Sequence, residues 1–196
     1  TVHVTYAGST AVSSGPELPV VTSILGTLTN NNSGGVTLTA TPTVNTRLTL
    51  NSGKIITGAF QINLATSATV AGASASSYVE GAVQKSFSTG SGQSVTFPIG
   101  DSANYAPVAL SSITVTAGGT LKATTTATEH PSVAGSGLNT SESVNRYYTL
   151  ANSGTALAFS TAAATFTFVP GDVDGGANTA AFVVRRYSGG VWAATT

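Results

Sequence analysis

The sequence predicts an all-β protein, and three observations carry that expectation. Apolar and polar side chains alternate with period two along much of the chain. Clusters of Gly, Asn and Ser interrupt the alternation at short intervals. Strong helix formers are scarce: Thr (33) and Ser (24) make up more than a quarter of the 196 residues, and with 22 Gly they favour extended chain and turns over helix. Short strands at this spacing fit a sandwich, a barrel or a β-solenoid.

At the N-terminus, Val2, Val4 and Tyr6 alternate with Thr1, His3 and Thr5, as in a strand with one apolar face. The next segment, 7–19 (AGSTAVSSGPELP), holds mostly small residues and two prolines and reads as a linker. Residues 1–19 are therefore expected to be an isolated strand plus a tether. Such a strand must find a sheet edge, because its N–H and C=O groups need partners. The edge can be its own, with repetition supplied by tandem modules of a longer protein. It can also be a neighbour's, in which case Val2, Val4 and Tyr6 would link subunits head to tail by strand addition.

Residues 20–76 form a Thr-rich segment. The pairs Val36/Leu38, Leu48/Leu50 and Phe60/Ile62 start twelve residues apart. That spacing predicts a meander or solenoid-like stack of near-equivalent strands over 25–70, the alternative being ordinary hairpins of a sandwich. Residues 66–77 are rich in Ala, Ser, Thr and Gly and resemble a connector, which puts a soft boundary near Ser76. From Tyr78 onward aromatic and charged residues become commoner, and 77–196 is expected to be the second β segment.

Within it, the stretch 94–108 (SVTFPIGDSANYAPV) reads as the corner of a sheet. Val95 and Phe97 end a strand, Pro98 cannot donate to a ladder, and Gly100-Asp101-Ser102 is turn chemistry. The Asp101 carboxylate is expected to cap backbone N–H groups of its own loop, with Phe97 and Tyr105 in core or corner positions.

An ordered set of motifs runs through 36–192: LTLNSG at 48–53, SYVEG at 77–81, FPIG at 97–100 followed by YAPV at 105–108, NRYY at 145–148, and VRRYSGGVW at 184–192. In order and spacing the set resembles β-rich modules of large secreted surface proteins from gliding bacteria that use type IX secretion. It departs from them after Arg146, where Trp is common and this chain has Tyr147-Tyr148. The resemblance implies a repeat-like β segment leading into an immunoglobulin-like β-sandwich, with stalk, adhesive or scaffolding roles at the cell surface. It supplies no catalytic residues.

Composition narrows the function further. Net charge is zero, and the seven Lys and Arg are spread along the chain, so the concentrated basic surface that displaces counterions from nucleic acid is missing. No apolar run reaches the roughly 18 residues of a membrane-spanning helix, so membrane insertion is not expected. Cysteine and methionine are both absent. A sulfur-free, low-charge chain that opens at Thr1 and shows no signal peptide suits a processed secreted protein, or a trimmed one.

No catalytic constellation stands out. Triad chemistry needs a His with an orienting carboxylate, and the two histidines are His3, on a strand, and His130, before Pro131. The seven acids are scattered, without a spacing that pairs two of them across a cleft. The expectation is a non-enzyme without an obligatory cofactor. Calcium is the one metal the sequence suggests. Asp172, Asp174 and Asn178 in DVDGGAN could offer hard oxygen ligands, although position twelve of an EF-hand loop would fall on Val183, and a plain Gly-rich turn is the alternative. A carbohydrate-binding module is the second functional reading, with Tyr147, Tyr148 and Trp192 (and Tyr187 beside them) as stacking rings. The Asn-X-Ser/Thr sequons at Asn31 and Asn139 are expected by chance in so Ser/Thr-rich a chain.

Overall fold

The fold is seen in a computed structural model, which describes residues 1–195. It is all-β: among the described residues the only helical segments are three 3-10 turns of three residues each. The chain divides into two compact units, one of residues 1–125 with 148–167, the other of residues 126–147 with the chain from Phe168 onward.

The first unit begins as a stack of coils. Strands β1 (Val2–Gly8), β3 (Leu25–Asn32), β6 (Arg47–Ser52) and β8 (Thr69–Ala71) pair in parallel and in that order. A second face is built in parallel from β2 (Val12–Ser13), β4 (Val36–Thr37), the start of β7 (Ile55–Leu64), the start of β9 (Val79–Phe87) and β11 (Ile99–Gly100). A third takes β5 (Thr43–Val44) and the far ends of β7 and β9. Parallel strands cannot be joined by hairpins, so the chain circles round a shared core between successive rungs.

Apolar residues stack in columns along that core. One column runs Val4, Leu28, Leu48, Val70. Another runs Val12, Val36, Ile55, Val79, Ile99. The solenoid-like stack is therefore present, but its period is not twelve. One rung advances 19 residues from Val36 to Ile55 and 24 from Val12 to Val36. Val36, Leu48 and Phe60 fall at three different places on the coil: the second face, the first face, and the bend of β7, where Phe60 is exposed. A period-two pattern repeats on every face, so a twelve-residue comb can match strands that do not stack.

Within the stack the Asn/Ser/Gly clusters at 30–35 and 51–53 are corners of the coil, not hairpin turns. Asn30 and Asn32 are buried there, and the Asn30 amide donates to the Gly53 carbonyl at 3.0 Å. Gly53 turns with φ 69°, and a Cβ on it would lie 2.0 Å from the Asn32 carbonyl oxygen. Only glycine meets both conditions at low cost.

Residues 1–19 are the first coil, not an isolated strand and tether. β1 pairs in register with β3, β2 pairs with β4, and Leu18 is buried in the core. Ser14 is tied to the next rung, donating its N–H to the Thr37 carbonyl at 2.8 Å and accepting from Thr39 N–H at 3.0 Å. In this chain the 1–7 segment takes the other of its two expected edges, its own, and the small residues with two prolines that follow make a tight coil rather than a loose linker.

The connector near Ser76 lies inside the first unit, and β9 continues the parallel stack beyond it. β9 then pairs antiparallel with β13 (Gly119–Thr126), and β14 (Tyr147–Asn152) lies outside β13. A three-stranded antiparallel sheet, β10 (Gly90–Phe97), β12 (Val108–Ala117) and β15 (Ala158–Phe166), shares one core with it through Phe97, Val108, Leu110, Ile113, Leu121 and Leu157. Residues 77–196 do not make one closed sandwich. β9 belongs to both the stack and the antiparallel part, and the hairpin of β16 (Arg185–Ser188) and β17 (Val191–Ala194) lies in the second unit. No helix among the described residues is long and apolar enough to cross a membrane.

Candidate functional site

The second unit gathers most of the predicted site residues. A bridge between Val144 and Val173 brings the segment 143–146 against 172–174. Arg146 and Asp172 are both buried, and the guanidinium grips the carboxylate through Nε (2.6 Å to Oδ2) and Nη2 (3.0 Å to Oδ1). Asp172 Oδ2 also accepts from Val169 N–H at 3.0 Å. Asp174 accepts from Ser143 N–H (2.9 Å) and from the Asn145 amide (2.7 Å). The Ser143 N–H, ahead of the Asn145 amide, holds its carboxyl below the usual range. Ser143 Oγ reaches Glu129 at 2.9 Å.

The trio read as calcium ligands is thus given three separate tasks. Asp172 neutralises Arg146, Asp174 clamps the 143–145 backbone, and Asn178 Oδ1 caps the 3-10 turn Thr179–Ala181 by accepting from Ala180 N–H at 3.1 Å. Among the described residues no three acidic or His side chains converge as a metal-ligating group.

The rings in this unit surround His130. Its ring lies 5.1 Å from Tyr147, 4.7 Å from Tyr187 and 5.0 Å from Trp192, and Tyr187 and Trp192 face each other at 5.0 Å as a cross-strand pair. Trp192 Nε1 donates to the Ser132 carbonyl at 2.8 Å, and His130 Nδ1 accepts from Ser132 N–H at 3.1 Å. The neutral imidazole therefore carries its proton on Nε2. Tyr148 does not join this group. Adjacent strand residues face opposite ways, and Tyr148 packs on Phe166 at 5.1 Å with its hydroxyl donating to the Thr167 carbonyl. The predicted trio of stacking rings is split, with Tyr147 and Trp192 grouped and Tyr148, half-buried, packed against the first unit's core. The sequence reading weighed His130 only as a triad base and placed Tyr187 only beside the other rings, although the Ser188-Gly189-Gly190 turn was a signal for the Tyr187–Trp192 pairing.

In the first unit, Lys85 was the missed residue. It occupies a core column between Leu64 and Leu121, is buried, and donates to the carbonyls of Ala65 (2.6 Å), Thr66 (2.7 Å) and Ala68 (2.9 Å). Burial pulls its ammonium down to about 8. At the 94–108 corner, Phe97 is fully buried, Tyr105 packs on Tyr78, and Asp101 Oδ1 accepts from Ala103 N–H (2.7 Å) and Asn104 N–H (2.9 Å). Here the structure agrees with the expected corner.

No protein-family model matches the chain, and no curated protein and no solved structure matches it either.

Proposed function

We propose that the chain is a non-enzymatic structural or adhesive module of an extracellular or cell-surface protein. One observation carries this reading: each of the seven carboxylates is engaged by a donor of its own chain. Glu17 takes the Tyr6 hydroxyl, Glu80 takes Lys54, and Asp101 takes loop N–H groups. Glu129 takes Ser143, Glu142 takes Asn139, Asp172 takes Arg146, and Asp174 takes Ser143 and Asn145. A catalytic acid must face a reacting group, whereas Glu17, Asp101, Asp172 and Asp174 accept from backbone N–H groups and Glu80, Glu129 and Glu142 accept from side chains of their own chain. His130 Nδ1 is likewise occupied as an acceptor, where a triad would need it as a donor to a carboxylate.

The test is an alanine scan of the seven acids. The expected result is lower thermal stability in proportion to burial, largest at Asp172. An acid whose removal abolishes a ligand-binding or turnover signal while leaving stability unchanged or raised would overturn the reading, since functional groups are commonly held at a cost to stability.

A carbohydrate-binding module is the second reading, favoured by the ring group of Tyr147, Tyr187 and Trp192 about His130. Tyr187 is exposed and could stack on a sugar ring. Quenching of Trp192 fluorescence by oligosaccharides, lost in Tyr187→Ala, is the result this reading requires.

A further inference from the structure

The antiparallel core runs out along one side. β15 is an edge of its three-stranded sheet, and its outer side has no strand paired to it among the described residues. Side chains opposite each other on antiparallel strands share a face, and β12 buries Val108, Leu110 and Val115 in the core. Their partners on β15, Phe166, Ala164 and Phe159, therefore point the same way. Phe159 is nonetheless 50% exposed and Ala164 is exposed, whereas Val115 is 3% exposed. The facing sheet ends alongside at β14, whose outer side is unpaired as well among the described residues. Tyr148 packed on Phe166, and the Asn152 side chain bonded to Leu157, join the two edges at their ends. Both strands are internal to the chain, so the exposed side is set by the packing of complete strands. From Tyr147 to Val169 there is no charged residue and no proline, two of the devices that keep edges apart. The ladder to β12 shifts register between Phe159 and Ala163 and is regular from Ala163 to Phe166.

We propose that β15 is a self-association edge: the β15 of a second copy of this chain pairs with it antiparallel about a two-fold axis at Ala163, joining the two three-stranded sheets into one. Three observations select a second copy. The edge carries no charge, so it offers nothing to an ionic partner, and two copies meet without repulsion. Of the other edges in the antiparallel part, β10 is bent by Gly90 and Gly92 at φ 145° and 71° and shifts register, and β14 is six residues long. The strand that matches the nine residues of β15 in length, without a glycine, is β15 itself. The run Ala162-Ala163-Ala164 puts the smallest side chains at the axis. Antiparallel pairing there carries Phe159 of each copy to the Phe166 end of the other, where its exposed ring gains apolar cover. A contact between identical edges is isologous and closes as a dimer, so it does not propagate a fibre.

Sedimentation equilibrium of the 196-residue chain from low to high micromolar concentration tests this. The expected result is a monomer–dimer equilibrium. Ala163→Lys and Ala163→Glu should each weaken it roughly a hundredfold, because each sets like charges against each other at the axis, and mixing the two variants should restore association. Ser94→Lys, on the exposed part of β10, should leave the dimer intact. A monomer at every concentration overturns the proposal. So does an open polymer, a dimer that survives both Ala163 variants, or one that is lost in Ser94→Lys. A mixture of the Lys and Glu variants that stays monomeric overturns it as well, since the two residues would then not face each other. If both Ala163 variants fail to fold by circular dichroism, amide exchange of the unsubstituted chain decides: protection of β15 that rises with concentration supports the dimer, and its absence overturns it. No ligand enters this measurement, so its failure leaves the structural reading of the acids standing.

Discussion

Arg146 and Asp172, 26 residues apart in sequence and both buried, meet through two parallel hydrogen bonds. The pair joins the segment entering the second unit from β13 to the segment returning to it after β15. Its geometry is the fork-to-fork arrangement that an ammonium cannot reproduce.

Removing one partner leaves the other charge buried and alone. Arg146→Ala is expected to cost about 3–5 kcal/mol, and Asp172→Ala a comparable amount with the Val169 N–H orphaned as well. The paired replacement Arg146→Met with Asp172→Leu should recover most of the loss, because apolar side chains of similar volume spare both desolvation costs. Urea denaturation followed by the fluorescence of Trp192, which lies in the same unit, measures this. A double variant no better than the worse single one would contradict it.

Phe97 and Asp101 share one corner and should behave differently. Phe97 is fully buried, so Phe97→Ala is expected to lower stability by about 3–5 kcal/mol. Asp101→Ala removes the acceptor for two N–H groups of a partly exposed loop, where water can substitute, and should cost about 1 kcal/mol. Denaturant midpoints of the two variants at constant slope separate these values.

Calcium should not stabilise the protein through Asp172, Asp174 and Asn178. Their oxygens already accept from Arg146, Ser143, Asn145 and Ala180, and a cation would have to displace those donors. A true site filled to a hundred times its Kd would add about 2.7 kcal/mol. Melting curves in chelator and in millimolar calcium are expected to coincide, and a rise with calcium would reassign the loop.

The alternation of Val36/Leu38 and Leu48/Leu50 was legible as strand because period two is a local property of the backbone. Which strands stack was not. Parallel rungs are set by the length of each coil, here 19 to 24 residues, and the Asn/Gly clusters that mark corners are the same residues that make hairpins. Asp101 was read correctly because an acid after Gly in a loop caps its own neighbours. The Arg146 partner of Asp172 was not legible for a related reason: it is distant in sequence, and the DVDG run, read as calcium ligands or a plain turn, looks the same whether its acids face a cation or a guanidinium. Tyr148 was grouped with Tyr147 by adjacency, though strand alternation sends them to opposite faces. Lys85 was available to the same rule, since Val83, Lys85 and Phe87 share a phase and a charge in an apolar phase must be either paired or strained.

That Lys85 phase gives the last prediction. An ammonium inside the core column between Leu64 and Leu121 has three carbonyls for company and no carboxylate hydrogen-bonded to it. The carbonyls satisfy its three N–H donors but do not repay its lost hydration in full, and burial lowers its value from 10.5 to about 8. Below about pH 8 the amine is protonated in both folded and unfolded chains, and the folded state carries the whole penalty. Between about 8 and 10.5 the unfolded chain still binds a proton that the folded chain has released, so stability rises with pH across that interval. Tyr78, which is buried, and Tyr6 and Tyr105, which are half-buried, act in the opposite sense, because desolvation raises their hydroxyls and their contribution is lost only as pH climbs past the ordinary tyrosine value near 10. The window from pH 8 to about 10 therefore belongs to Lys85. Lys85→Met cannot titrate, and the α-amino group and the histidines are common to both proteins and cancel in the comparison. The unsubstituted chain should gain stability from pH 8 to pH 10 relative to Lys85→Met, read as diverging urea midpoints at matched ionic strength. Parallel midpoints across that range would show that the folded protein holds Lys85 charged, with the three carbonyls compensating its burial completely.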